Sequence, residues 1–407
     1  MTADCEPQAA ISVGAATDWG AVLAAVFCGV AVAFNIGKVP IALTQLRQEF
    51  GLSLVTAGWV ASTFNTLAVF TAIFFGMVCD RVGQLRMTVA GLVLSAIAGA
   101  GALLAWNGTT LLLSRLFEGL GFLSIVVSAP GLVSTAAQPA DRRFALGLWA
   151  SFMPIGVGLA MIVGPLVMPL GGWRALWLAS LAGFAIAGLA LAQRRAAYGQ
   201  PHASVPADSF AVARDVVSRS APWLFGFSLC AWSVQYFALV IWLPTFLHEQ
   251  RGLPTTTAGL LTAAFVLINA PGTVLGGALI HRHVGRGTLI LAASAATIVL
   301  NAAIYVDGLP DLVRYLACLA LSFVGGLIPT AVFSSSLVLA KTPRQIGTLQ
   351  GLFMQCANLA QFAGPPLIAA IVAASGRWSD TVYVTCAAGI VGVILGEALR
   401  RREGQAA

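Results

Sequence analysis

Apolar runs of membrane length alternate along this chain with short charged clusters. The runs 50–79, 87–114, 144–173, 315–340 and 345–376 are the clearest, and each exceeds the roughly 20 apolar residues that a bilayer-spanning helix needs. Counting runs between charge clusters predicts twelve spans, at 19–43, 53–78, 88–106, 110–136, 145–170, 173–192, 222–247, 255–280, 288–305, 311–339, 346–373 and 381–398. Glycine and proline are plentiful inside these runs, which suits helices that approach closely and bend, and argues against the strict alternation of a β-barrel.

Composition sharpens this picture. With 58% hydrophobic and 9% charged residues among 407, and a mean hydropathy of +0.89, the chain is an integral membrane protein rather than a string of soluble domains. No basic stretch precedes the first apolar run, so no cleavable signal peptide is expected and the N-terminus stays inside. In that orientation the cytoplasmic segments carry 15 Lys and Arg residues and the outer segments 5, with Lys38 and Arg115 inside spans making up the 22. This asymmetry selects the orientation with both termini cytoplasmic, and a multi-pass protein of the inner (plasma) membrane is expected. The net charge of +7 is therefore a topology signal and not a nucleic-acid surface. Seven scattered cysteines form no CxxC pair, so neither a disulfide framework nor a metal site is expected.

The polar stretch 193–221 is the longest loop and divides the chain into a short tail (1–18), a six-span half (19–192), a cytoplasmic linker (193–221), a second six-span half (222–399) and a tail (400–407). The halves echo one another. GLSLVTAG at 51–58 recurs as GLPTTTAG at 252–259, an offset of 201, and GMVCDRVGQLR at 76–86 has a degraded partner in GALIHRHVGRG at 277–287. ALGLW at 145–149 loosely matches TLQGLF at 348–353, and the GP at 164–165 is echoed at 364–365. Two similar helical bundles about an axis along the membrane normal describe a transporter with a central cavity between them.

On these features the whole chain resembles the major facilitator superfamily. GMVCDRVGQLR resembles its signature loop between spans two and three, with Gly76, Asp80, Arg81, Gly83 and Arg86 in place. The resemblance implies a cytoplasmic gate, and the physics agrees: Asp80 closes span two where it can find a partner in one conformation only, Gly76 allows close approach and Gly83 a tight turn. His281 stands where the second half would repeat the acid, which weakens the latch there. SRLFEGLG at 114–121 resembles the span-four motif; Arg115 and Glu118, three apart on one helix face, can pair with each other or exchange partners with a proton or an anion. GVGLAMIVGP at 156–165 resembles the span-five motif best known from proton-coupled antiporters, a face of small residues followed by Pro165.

Mid-span polar residues form the candidate solute site: Asn35 and Lys38 in span one, Asn65 in span two, Arg115 in span four, Gln235 and Tyr236 in span seven, Asn269 in span eight, and Gln355 and Asn358 in span eleven. Interhelical hydrogen bonds, worth about 0.6 kcal/mol each, are the alternative role for any amide among them. Ser334, Ser335 and Ser336 are expected to bond back to their own helix. A lysine within an apolar span costs ~2.5–3.5 kcal/mol on insertion scales and calls for a reason. Lys38 either faces the cavity in a helix broken around Gly37 and Pro40, or snorkels to the outer surface.

No GxxxxGK[ST] loop occurs, which points to a secondary transporter working by alternating access without a cofactor. The excess of embedded cations favours a small anionic or polar solute, with Glu118 the candidate proton-coupling residue. The pattern is similar to the cyanate-permease and organic-anion group. Nitrate permeases carry an arginine in span two and another in span eight; here Asn65 and Asn269 sit mid-helix in those spans, so a nitrate transporter is not expected. The alternatives are a proton-coupled efflux pump for drugs or metabolites, or a siderophore or metallophore permease. A membrane enzyme would need convergent His, Asp or Glu in the spans, whereas all four His lie in or beside loops. The partners expected are the solute, the lipid bilayer and protons; a monomer is expected.

Overall fold

The computed structural model describes residues 16–198, 209–306, 308–342 and 344–406, and every regular element among them is helical. Span one is a single helix, Trp19–Phe50. Its 32 residues reach about 48 Å at ~1.5 Å per residue, more than the ~30 Å hydrocarbon core. Asp18 caps its start by accepting from the Ala21 amide at 2.9 Å, and Gly51, at φ 60°, ends it in a left-handed turn. Span seven, Ser220–Arg251, ends in the same way at Gly252, φ 64°.

The break expected around Gly37 and Pro40 does not occur; the helix runs through both. Gly37 serves packing instead, since a Cβ there would lie 2.5 Å from the Val157 carbonyl oxygen of span five. Breaks fall in other spans. Span two is built from Leu54–Ser62, a 3-10 turn at Thr63–Asn65, and Thr66–Val82. Span eight divides between Thr255–Leu267 and Asn269–His281, and span ten between Asp311–Gly325 and Leu327–Leu339. Spans five and six run through Phe152–Gln193, where Gly171 and Gly172 (φ 62°, ψ −153°) turn the chain. Span one holds that turn: Gln45 Oε1 accepts from the Trp173 amide at 2.8 Å, and Glu49 accepts from Trp173 Nε1 at 2.7 Å and from Arg174 at 2.6 Å.

With that turn counted, twelve spans among the described residues form two six-helix bundles. In the first, span one packs along span five and span three along span four; in the second, span seven packs along span eleven and span nine along span twelve. The outer surface is apolar, as lipid contact requires. Span three, Gln84–Leu103, turns Val89, Val93 and Ile97 outward while Thr88, Gly91 and Ser95 face inward.

The sequence echoes meet each other across the two bundles. Gly58, closing GLSLVTAG, lies against Pro365 and Pro366 of span eleven, where a Cβ would come within 2.9 Å of the Pro366 Cα. Gly259, closing GLPTTTAG, lies against Pro165 of span five, where a Cβ would come within 2.5 Å of its ring. Each glycine thus receives the proline of the other half. Both contacts lie toward the face opposite the termini, as do the Trp59–Phe362 ring pair and the Arg47–Glu249 ion pair at 2.7 Å.

Two further glycines set the packing within the bundles. A Cβ on Gly119 of span four would fall 2.0 Å from the Phe64 carbonyl oxygen, and one on Gly272 of span eight 1.9 Å from the Phe323 carbonyl oxygen. Backbone cannot rotate away, and overpacking costs ~1–3 kcal/mol or more. Gly119→Ala and Gly272→Ala are each expected to lower the melting temperature in detergent by several degrees, against no change for Gly101→Ala or Gly183→Ala, which have open space. Equal melting temperatures across the four would refute this packing.

The linker ends in the helix Ser209–Val217. Asp215 accepts from Lys341 Nζ and Gln345 Nε2, both at 2.8 Å, and Arg219 donates to the Leu339 carbonyl at 2.6 Å. The Lys341 hydrogen bond holds the Asp215 carboxyl below the usual carboxylate range. The linker is thereby fastened to the loop between spans ten and eleven.

Candidate functional site

Lys38 does not snorkel. Its side chain is fully buried, and Nζ donates to Glu118 Oε1 at 2.8 Å and to Ser180 Oγ at 3.2 Å. The ammonium also sits 4.2 Å from the Trp177 ring centroid, an attraction worth up to about 2 kcal/mol where water is excluded. Span one therefore directs this charge into the first bundle, between spans four and six.

Glu118 shares its other oxygen with Arg115, one turn earlier on span four, Gly108–Ala136. Arg115 donates further to the Val60 carbonyl of span two at 3.3 Å and to the Asn35 carbonyl of span one at 3.1 Å, and lies 4.8 Å from the Phe64 ring. Two cations thus share one carboxylate, all three fully buried. A lone buried charge is costly, and a pair offsets that cost only with good geometry and further hydrogen bonds. Arg115 has them in two carbonyls, and Lys38 in a hydroxyl and a ring face.

Unpartnered polar atoms occur on the helices that carry or contact this cluster. Both amide atoms of Asn35, one turn before Lys38, are buried without a hydrogen bond, as are Asn65 Oδ1, Ser62 Oγ, Ser114 Oγ and Trp177 Nε1. Buried polar atoms normally find partners, so such a group marks a place where another molecule or another conformation supplies them.

The remaining candidates lie apart. Gln235 accepts at 2.8 Å from Asn301 of span nine, and Asn269 donates to the Ser322 carbonyl of span ten at 2.7 Å; these are interhelical hydrogen bonds inside the second bundle. Tyr236 stacks on Phe265 with centroids 5.4 Å apart. Gln355 crosses between the bundles to donate to the Val69 carbonyl at 2.6 Å, and Asn358 is buried in span eleven. Ser334, Ser335 and Ser336 donate to carbonyls three residues earlier.

In the signature loop, Gly83 takes φ 92° at the turn between spans two and three, and Arg86 is exposed. The side chains of Asp80 and Arg81, and the surroundings of Gly76, lie outside the described residues. The span-five small-residue face packs on span one, where a Cβ on Gly156 would lie 2.5 Å from the Val30 carbonyl oxygen.

Sequence reasoning paired Arg115 with Glu118 but missed that Lys38 completes the set, and missed Trp177 and Ser180. Those two lie three apart on span six, a spacing too common in apolar helices to draw notice. It expected a central cavity between the halves but missed which residues line the one of about 190 Å³ found between the bundles, at the face opposite the termini, where spans one, five, seven and eight contribute. A signal for it exists: TQLRQEFGL at 44–52 and TFLHEQRGL at 245–253 align at the same offset of 201. Thr44 and Thr245, which both line the cavity, are matched positions.

Comparison with known proteins extends the picture. The chain is 26% identical over 364 residues to the 3-(3-hydroxy-phenyl)propionate transporter of Escherichia coli K12, covering 86% of each chain. It is 23% identical over 284 residues to the cis,cis-muconate transport protein of Acinetobacter baylyi, covering 67% of this chain and 68% of that one. Its fold is similar to that of a bacterial homolog of the human lysosomal transporter Spinster in an inward-facing, unoccupied conformation, with a TM-score of 0.77 over 93% of this chain and 95% of that one at 15% identity. The sequence profile of the major facilitator superfamily matches residues 25–365, reaching from the first span into the eleventh. In a duplicated fold, a match that runs through both halves is more than a shared helix pair, and on that ground the chain belongs to the major facilitator superfamily.

Proposed function

We propose that this secondary transporter carries a small carboxylate across the inner membrane by alternating access, coupled to protons through Glu118. The observation that carries the reading is the fully buried cluster in which Lys38 and Arg115 share the single carboxylate of Glu118. Glu118 then acts as a built-in stand-in for the solute. A solute carboxylate takes its place on Arg115, beside the unpartnered amide of Asn35, and protonation of Glu118 releases Lys38 as well. Solute anion and proton enter together because a site holding two cations binds anions best once its own acid is neutral. Asn65, Gln235, Tyr236, Asn269, Gln355 and Asn358 complete the proposed path, and the loop Gly76–Arg86 its cytoplasmic gate.

Two relatives support the solute class, since the compounds in their names are carboxylates. The basic asymmetry supports cytoplasmic termini, and contacts between the bundles at the opposite face support an inward-facing state. The competing reading, a proton-driven efflux pump for lipophilic cations, draws on the span-five motif, but two buried cations disfavour such cargo.

Reconstituted vesicles separate the two. With an inward proton gradient, labelled 3-(3-hydroxyphenyl)propionate or cis,cis-muconate is expected to accumulate and to be released by a protonophore. Movement of ethidium with neither carboxylate transported would favour the efflux pump.

A further inference from the structure

The cavity between the bundles holds about 190 Å³, room for roughly six waters at ~30 Å³ each. Its polar lining comes from Thr44, Gln45 and Gln48 of span one, Thr245 and His248 of span seven, and Thr255 of span eight; no lining residue is acidic. The nearby carboxylates are engaged elsewhere, Glu49 by Trp173 and Arg174, and Glu249 by Arg47. The chamber is therefore rich in donors and free of negative charge.

Thr245 is the informative residue. It is 1% exposed, and its hydroxyl has no partner. Two buried hydroxyls in the same spans bond back to their own helix, Thr262 to the Ala258 carbonyl at 2.8 Å and Ser228 to that of Leu224 at 2.8 Å. His248 is held at Nδ1 by the Leu253 carbonyl at 2.9 Å. A carbonyl can only accept, so Nδ1 carries the hydrogen and Nε2 remains for another contact. Arg47 and His248 occupy matched positions of the repeat, so each half contributes a basic residue at this end.

We infer that this chamber is an outer binding site for the carboxylate of the transported solute, closed by the Arg47–Glu249 pair that joins the two bundles. The inference rests on the carboxylate-transport reading and adds a second station to it. Pro40 and Ile41 line the chamber immediately beyond Lys38 on span one, so a solute leaving it is one helical turn from the buried cluster.

Equilibrium binding of labelled 3-(3-hydroxyphenyl)propionate to the purified full chain tests it. The native protein is expected to bind two equivalents. Lys38→Met should retain one, and adding Thr245→Val to it should weaken that remaining site at least tenfold, the effect of losing a hydrogen bond to a charged group. Thr245→Val alone should melt no lower than the native protein, because an unpartnered buried hydroxyl adds no stability. A single equivalent in the native protein, or a remaining site indifferent to Thr245→Val, would overturn the chamber. Two equivalents that both survive Lys38→Met would instead overturn the buried cluster as the central site.

Discussion

Lys38→Met is expected to cut carboxylate uptake at least about thirtyfold while the protein accumulates and melts much as the native chain does. The two halves of this expectation have separate causes. Removing the ammonium leaves Arg115 paired one-to-one with Glu118, a balanced and still hydrogen-bonded ion pair. Methionine refills most of the lysine volume, and its flexible thioether keeps contact with the Trp177 ring. What the cluster loses is its unbalanced positive charge. Truncating one member of a buried charge pair commonly costs 2–5 kcal/mol or more in recognition, roughly a thirtyfold to several-thousandfold loss. Uptake measured in vesicles, with the melting temperature taken on the same preparation, checks both. Native-like uptake by a well-folded Lys38→Met protein would remove Lys38 from the transport cycle.

Glu118→Gln should behave in the opposite way toward stability. Two fully buried cations then face no carboxylate, and breaking a buried pair by removing one partner costs about 3–5 kcal/mol. A large fall in melting temperature is expected, and Lys38→Met added to Glu118→Gln should recover part of it by taking away one of the stranded charges. The same variant mimics a permanently protonated Glu118. It is expected to exchange labelled for unlabelled carboxylate across the membrane yet fail to concentrate it against a proton gradient. Accumulation at the native level by Glu118→Gln would place proton coupling elsewhere.

Much of the architecture was legible in the order of residues. Spacing between charge clusters located every span to within several residues, because a bilayer imposes a minimum apolar length on each helix. The pairs Gly58 with Gly259 and Pro165 with Pro365 could be read as echoes, but only the fold shows that each glycine packs on the other half's proline. A residue that fills a groove on a partner helix leaves no local periodicity to mark its partner. Gly37 and Pro40 misled for a related reason: both weaken a helix in water, yet in a membrane bundle a glycine admits a neighbouring backbone and a proline is tolerated where its surroundings satisfy the freed groups.

The sequence by itself determined the membrane class, the span count, the duplicated plan and the unusual presence of Lys38, Arg115 and Glu118 in apolar runs, since each follows from local composition and spacing. Only the tertiary structure decided that Lys38 lies 2.8 Å from Glu118 and that Arg115 competes for the same carboxylate. Those residues are 80 apart in sequence along spans one and four, and a side chain's partner across such a distance is set by helix rotation and close packing, which depend on every small residue between them.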